Sequence, residues 1–66
     1  MVHIKALRLR LGWSQAELAR RANLHPTTVS LIENGRLRPY SAQIEKLASA
    51  LGVSSNAVAQ EDDVDE

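Results

Sequence analysis

The segment from residue 14 to residue 35 constrains the fold most, because it has the polarity pattern of two short helices joined by a tight turn. Ser14 and Glu17 have the S-x-x-E spacing of a capping box, in which a hydroxyl and a carboxylate satisfy free amides of the first helical turn. We therefore expect a helix to begin at about Gln15. The apolar stripe of this helix is narrow and consists of Leu18, Ala19 and Ala22.

A second helix is predicted after a short interruption at residues 23–24. Pro26 suits the first turn of a helix, because its missing N–H leaves no hydrogen bond unmade there. His25 is then the N-cap, a weaker choice than Ser or Asp. The inward-facing positions of this helix are Val29 and Ile32. Gly35 ends it, since an Asn-Gly at a helix end favours a residue with positive φ.

The rest of the chain has the start and stop signals of three further helices. Each glycine follows an Asn or the last apolar residue of a periodic segment, as helix stop signals do: Gly12, Gly35 and Gly52. A first helix is predicted over residues 2–11, with an inner face of Ile4, Leu7 and Leu11. A fourth helix begins near Ser41, and Ser54 can cap a short last helix that carries Val58. Because no segment alternates like a strand, we predict an all-α fold of five helices.

Composition excludes several classes of protein and site. With 66 residues the chain forms one small domain, and it has no cysteine for a disulfide framework or a thiolate metal site. Its two histidines, His3 and His25, are too far apart to suggest a ligand pair, so we predict no metal and no cofactor. No apolar stretch approaches the ~20 residues of a membrane span, and the amino terminus lacks the apolar core of a signal peptide. We expect a soluble, cytoplasmic protein without membrane contact.

Charge is distributed unevenly along the chain, although the formal net charge is zero. Five of the eight acidic residues lie in residues 61–66, so residues 1–60 carry eight basic and three acidic groups and a net charge of +5. We predict a basic domain over 1–60 and a disordered acidic tail over 61–66. A positive surface of this kind is expected of a nucleic-acid-binding domain. The tail either keeps the protein soluble or competes with DNA for the basic face.

The predicted elements together resemble the Cro and phage-repressor type (XRE-like, lambda-repressor-like) of helix-turn-helix family. The resemblance covers residues 4 to about 59, and the motifs at the family's spacing are Ser14-Gln15, Leu18-Ala19, Val29-Ser30, Ile32-Glu33-Asn34-Gly35, Pro39 and Leu47-Ala48-x-x-Leu51-Gly52-Val53-Ser54. It implies a compact five-helix DNA-binding domain with its helix-turn-helix at helices 2 and 3. The implied function is a sequence-specific, double-stranded-DNA-binding transcriptional regulator, a repressor of a bacterium or phage, that inserts residues 26–34 in the major groove.

The resemblance also assigns DNA contacts to particular residues. The base-facing positions are Pro26, Thr27 and Leu31, flanked by Thr28. Leu31 can make only apolar contact, for example with a thymine methyl group, or it is buried against helix 4 or a dimer partner. Because this set lacks long amides and arginines, we expect few bidentate base contacts and more dependence on DNA shape. The phosphate-binding candidates are Gln15, Ser30, Asn34 and Arg36, and the charge of the loop adds Arg38; the alternative for these residues is a solvated surface.

Two charged residues lie beside apolar core positions on their helices. In the resembling family an arginine of helix 1 pairs with the glutamate of the Ile-Glu-Asn-Gly motif, which implies a partly buried ion pair between Arg8 and Glu33. The alternative is two unconnected surface charges. Trp13 is expected to pack under the turn, whereas Tyr40 either contacts the DNA backbone or packs at a helix start.

Other functional classes have less support in the sequence. Serine, histidine and aspartate are present, but no pattern places them as a nucleophile and its base, so we predict no enzyme. The alternative function is an antitoxin-like module that binds a toxin partner and its own promoter. It would use the acidic tail and the exposed apolar residues of helix 5, namely Val53, Ala57 and Val58. A domain of this size contacts few base pairs, so we expect a homodimer on an inverted repeat, joined through the carboxy-terminal helices.

Overall fold

The computed structural model describes residues 2–59, and it contains five helices and no strand within that range. The helices are α1 (Val2–Arg10), α2 (Gln15–Ala22), α3 (Pro26–Glu33), α4 (Ser41–Leu51) and α5 (Ser55–Ala59). The predicted all-α, five-helix fold is therefore confirmed. The proposed acidic tail at 61–66 lies outside the described residues.

The core forms where the inner faces of all five helices meet. Its largest fully buried side chains are Ile4, Leu18, Val29, Ile32, Leu47 and Val58. Helix α2 packs on both α3 and α4, and α5 packs on α4. The close approach of α2 is possible because two of its inner residues, Ala19 and Ala22, are small.

Burial corrects one expectation about the last helix. Val58 was counted among the exposed apolar residues, yet it has no solvent exposure. The reason is that α5 lies against α4, which turns Val58 into the core. Val53 and Ala57 are half-buried. The apolar surface available for a protein partner at this end of the molecule is therefore smaller than predicted.

The end of α1 also differs from the prediction. Leu11 was expected in the apolar face of this helix, but α1 ends at Arg10 and Leu11 is 46% exposed. The chain turns here through Gly12, which has a φ of +76° and donates its N–H to the carbonyl of Leu9. Because the turn directs the chain toward α2, Leu11 no longer follows the inner face of α1.

The start of α2 uses half of the predicted capping box. The hydroxyl of Ser14 accepts the backbone N–H of Glu17 at 3.0 Å. The carboxylate of Glu17 does not return to the cap, because it accepts hydrogen bonds from Arg20 and Arg21 on its own helix. These bonds, from Arg20 first, lower the pKa of Glu17. The helix ends at Asn23, whose φ of 59° is left-handed, a conformation that asparagine tolerates.

Candidate nucleic-acid interface

Helix α3 has one face in the core and one face toward solvent. Val29, Ile32 and Glu33 are buried. The outer face carries the predicted base-facing residues and their neighbours. Pro26 and Thr27 are exposed, whereas Thr28, Ser30 and Leu31 are half-buried. The helix begins with Pro26 in its first turn after His25, which has extended backbone angles but no capping side-chain bond. The buried residues of α3 therefore hold the helix in place, and the side chains of the outer face remain at least partly accessible to solvent.

Leu31 is half-buried, so part of its side chain remains available for apolar contact. Its backbone carbonyl has a separate role, because it accepts the N–H groups of Arg36 and Leu37 at 2.9 and 3.2 Å. With the bond from Gly35 N–H to the carbonyl of Ile32 at 3.1 Å, this is the hydrogen-bond pattern of a Schellman helix end. Gly35 has a φ of +76°, as this motif requires.

The end of α3 and the loop after it carry three of the predicted phosphate-binding residues. Asn34, Arg36 and Arg38 are exposed. Two apolar residues between and after them, Leu37 and Pro39, are respectively half-buried and buried, so the loop is anchored to the domain. The Schellman turn and these anchors place the loop directly beside the carboxy-terminal end of α3.

Arg8 and Glu33 form a two-pronged ion pair between α1 and α3. Arg8 Nε donates to Glu33 Oε2 at 2.7 Å, and Arg8 Nη2 donates to Glu33 Oε1 at 3.1 Å. The residues are 6% and 7% exposed, so the pair belongs to the interior. Arg8 Nη1 donates in addition to the backbone carbonyl of Trp13 at 2.7 Å, which ties the turn before α2 to the same guanidinium.

The charge state of Glu33 follows from two opposing effects. Burial, the largest single effect, raises the pKa of its carboxyl group, but the hydrogen bonds from Arg8 and Gln15 and the positive charges of Arg8 and Lys5 together outweigh it. The pKa of Glu33 therefore lies below the ordinary glutamate value. The side chain is ionised at neutral pH, as a bidentate bond to a guanidinium requires.

Gln15 has a partner that sequence analysis did not anticipate. Its side-chain Nε2 donates to Glu33 Oε1 at 2.9 Å, so α2 joins the ion pair of α1 and α3 at its first residue. One general rule pointed to such a partner. A buried carboxylate has more acceptor sites than the two hydrogen bonds from Arg8 can fill. That requirement predicts a third donor near Glu33 but does not say which side chain supplies it.

The two aromatic residues lie in different surroundings. Trp13 is half-buried at the turn between α1 and α2, as expected for packing under it, and the guanidinium of Arg21 stacks over its ring at 4.5 Å from the centroid. Tyr40 is 71% exposed, and its backbone N–H donates to the side-chain oxygen of Gln43 at 2.9 Å. The ring of Tyr40 is therefore accessible beside the basic loop.

Residues 2–59 contain no group of three or more side chains that could hold a metal ion. Within the same range, each helix is too short or too polar to cross a membrane.

Comparison with known proteins identifies the family. The model of the helix-turn-helix family matches residues 4–58. A hypothetical transcription factor of Neisseria meningitidis is 43% identical over 53 residues, which is 80% of this chain and 50% of that protein. The immunity repressor protein of Bacillus phage phi105 is 36% identical over 59 residues, which is 89% of this chain and 41% of that protein. The chain thus spans half or less of the length of these relatives.

The structural comparison agrees with the sequence comparison. A crystal structure of a hypothetical transcription factor from Neisseria superposes with a TM-score of 0.80 at 40% identity, covering 89% of this chain and 70% of that one. The resemblance to the Cro and phage-repressor type is confirmed. The chain belongs to the helix-turn-helix family.

Proposed function

We propose that this member of the helix-turn-helix family is a sequence-specific, double-stranded-DNA-binding transcriptional regulator, a repressor of the bacterial cytoplasm, that inserts α3 in the major groove. The observation that carries the proposal is the division of α3 into two faces. Val29 and Ile32 fix the helix in the core, while Pro26 and Thr27 stay exposed for contact. The names of the relatives, a transcription factor and an immunity repressor, support the same function.

The base contacts in this proposal come from the outer face of α3. The side chains are Pro26, Thr27, Thr28 and Leu31. A threonine hydroxyl can donate to or accept from a base edge, and the accessible part of Leu31 fits the methyl group of a thymine. None of these side chains can make a bidentate bond to guanine or adenine. We therefore expect a weak base preference at each position and a larger share of specificity from DNA shape.

The phosphate contacts come from the two ends of the motif. At the start of α2 the donor is Gln15, and along and after α3 the donors are Ser30, Asn34, Arg36 and Arg38. Phosphate contacts set the orientation of a protein on the duplex without reading its sequence. The basic loop therefore supplies most of the affinity, and it does so in a salt-dependent way.

In this proposal the protein binds an inverted repeat as a homodimer. One domain of this size covers few base pairs, and two half-sites about one helical turn apart give the required specificity. We expect the two copies to meet through their carboxy-terminal helices, near the half-buried Val53 and Ala57. Because Val58 is in the core and not available to a partner, we expect this contact to be small and dimerisation to depend on DNA.

Selection of bound duplexes from a random pool tests the proposal as a whole. We expect an enriched inverted repeat whose half-site centres lie about 10 base pairs apart, and sedimentation of the complex as two protein chains per duplex. A pool without any enriched sequence would refute sequence-specific binding. Enrichment of a single half-site bound by one chain would refute the dimer while leaving DNA binding intact.

Arg36 offers a separate test of the phosphate assignment, with Lys46 as a matched control. Arg36 is exposed in the loop after α3, whereas Lys46 is exposed in the groove between α2 and α4. Arg36→Ala should weaken binding to all sequences and reduce the slope of log affinity against log salt by about 0.9 per protomer. Lys46→Ala removes the same charge and should leave the slope nearly unchanged. Equal slopes of log affinity against log salt for the two variants would show that Arg36 does not contact a phosphate.

A further inference from the structure

We infer that Glu33, which is buried and does not face the proposed DNA surface, is a positioning residue for the phosphate contact of Gln15. The inference rests on the proposed function, since it assigns a second role to the ion pair of α1 and α3 within the same DNA-binding surface. On this inference, the orientation of the Gln15 side chain on α2 depends on the Glu33 carboxylate at the end of α3 and on the Arg8 guanidinium of α1.

The carboxylate of Glu33 is buried and bonded at both of its oxygens. Its side chain is 1% exposed, and Arg8 holds one oxygen at 2.7 Å and the other at 3.1 Å. A guanidinium and a carboxylate joined at two points lie in one plane and cannot rotate independently. Arg8 is in turn fixed by its bond to the carbonyl of Trp13. The acceptor offered to Gln15 therefore has a defined position in the domain.

The carboxamide of Gln15 takes its orientation from that acceptor. Its nitrogen donates one hydrogen to Glu33 Oε1 at 2.9 Å. The second hydrogen of the planar amide points away from the first, so it is the donor left for a phosphate oxygen at the start of α2. Gln15 is half-buried, and its remaining freedom is restricted before any ligand is present. A side chain that is ordered in advance loses less conformational entropy on binding.

Because Glu33 is charged, a positioning role and simple electrostatics predict opposite changes in DNA affinity when it is neutralised. Glu33→Gln removes a negative charge from a protein that binds a polyanion, so electrostatics alone predicts tighter DNA binding. A positioning role predicts the opposite, because the amide NH2 that replaces one carboxylate oxygen faces a donor, either Arg8 Nε or the pair of Arg8 Nη2 and Gln15, so the three hydrogen bonds cannot all be kept. The matched control is Glu45→Gln, which removes the same charge from an exposed position on α4.

A double-mutant cycle on the selected duplex tests the inference. We expect Glu33→Gln and Gln15→Ala each to weaken binding about tenfold per half-site, as loss of one hydrogen bond to a charged group does. The double variant should bind no more weakly than Gln15→Ala, because both changes remove the same contact. Glu45→Gln should bind as tightly as wild type or slightly more tightly. Unchanged or tighter binding by Glu33→Gln, or full additivity in the double variant, would overturn the inference.

A second measurement needs neither DNA nor a stable variant. In the DNA-free wild-type protein, the side-chain amide of Gln15 should show a heteronuclear NOE as high as that of the helical backbone. The exposed side chain of Asn56 on α5 is the reference for an unrestrained amide. Equal mobility of the two side chains would refute positioning, even if Glu33→Gln fails to fold. Wild-type protein that selects no duplex would refute the proposed function, while the NOE would still decide whether Glu33 orders Gln15.

Discussion

Replacement of Glu33 by alanine tests the stability role of the buried ion pair. The variant leaves Arg8, which is 6% exposed, with the Trp13 carbonyl as the one acceptor that its guanidinium retains among residues 2–59. Loss of one partner of a buried pair costs ~3–5 kcal/mol, because the remaining charge is desolvated without compensation. The total stability expected of a domain this small is also ~3–5 kcal/mol. Glu33→Ala should therefore be largely unfolded at room temperature.

Thermal and urea unfolding followed by circular dichroism measures this effect, and Glu45→Ala is the control. Glu45 is an exposed glutamate in the middle of α4, so its replacement should change stability by less than about 0.5 kcal/mol. The reasoning is refuted if Glu33→Ala unfolds with a free energy within about 1 kcal/mol of wild type. That result would mean that the pair contributes no more than an ion pair on the surface.

The same pair predicts how stability depends on pH. The folded protein holds the pKa of Glu33 below its ordinary value, so the unfolded chain binds more protons when the pH falls through that range. The stabilisation is complete above the ordinary glutamate pKa and is lost as the pH falls toward the folded value. Unfolding measured from about pH 7 to about pH 3 should show this decline, and Glu17→Gln should retain most of it, because Glu17 lies at the surface. Stability that rises on acidification would contradict the assignment.

Three further variants probe single features of the motif. Gly35→Ala should lower stability by about 1–2 kcal/mol in a melting experiment, because the left-handed backbone and not space is the obstacle there; an unchanged Tm would show that this turn can relax. Asn23→Gly should be neutral within about 0.5 kcal/mol, since glycine accepts the observed φ of 59° but is less ordered when unfolded; a large loss would indicate a role for the Asn23 side chain. Leu31→Ala should weaken binding to the selected duplex by about tenfold at most, with the loss confined to sequences carrying a thymine at the contacted position; equal losses on all sequences would place Leu31 outside the base contacts.

Local signals predicted most of the fold. The hydroxyl of Ser14, the ring of Pro26 and the missing side chain of Gly35 each act within about one helical turn, and the structure places all three as expected. Helix periodicity also identified the inward-facing Val29 and Ile32. These features could be predicted because their physical causes lie within a few residues of the chain.

Contacts between distant segments account for what was missed. The burial of Val58 depends on where α5 meets α4, and the exposure of Leu11 depends on how the chain turns toward α2. Periodicity does not join residues 25 positions apart, such as Arg8 and Glu33; the family resemblance suggested that pair. Neither approach suggested the bond from Gln15 to Glu33, because it depends on the position of one amide after the helices are packed.

In the proposed DNA complex, the geometry of α3 separates the choice of bases from the stability of the domain. The side chains that hold the helix in place, Val29, Ile32 and Glu33, face away from the outer surface. Pro26 and Thr27 are exposed, so exchanging Thr27 for another polar residue removes little buried contact and should not alter the core. In the proposed complex, affinity from phosphate contacts of the loop after α3 does not depend on base identity. A helix arranged like this can acquire a new base preference by changes on one face, while its position on the duplex is still set by residues elsewhere.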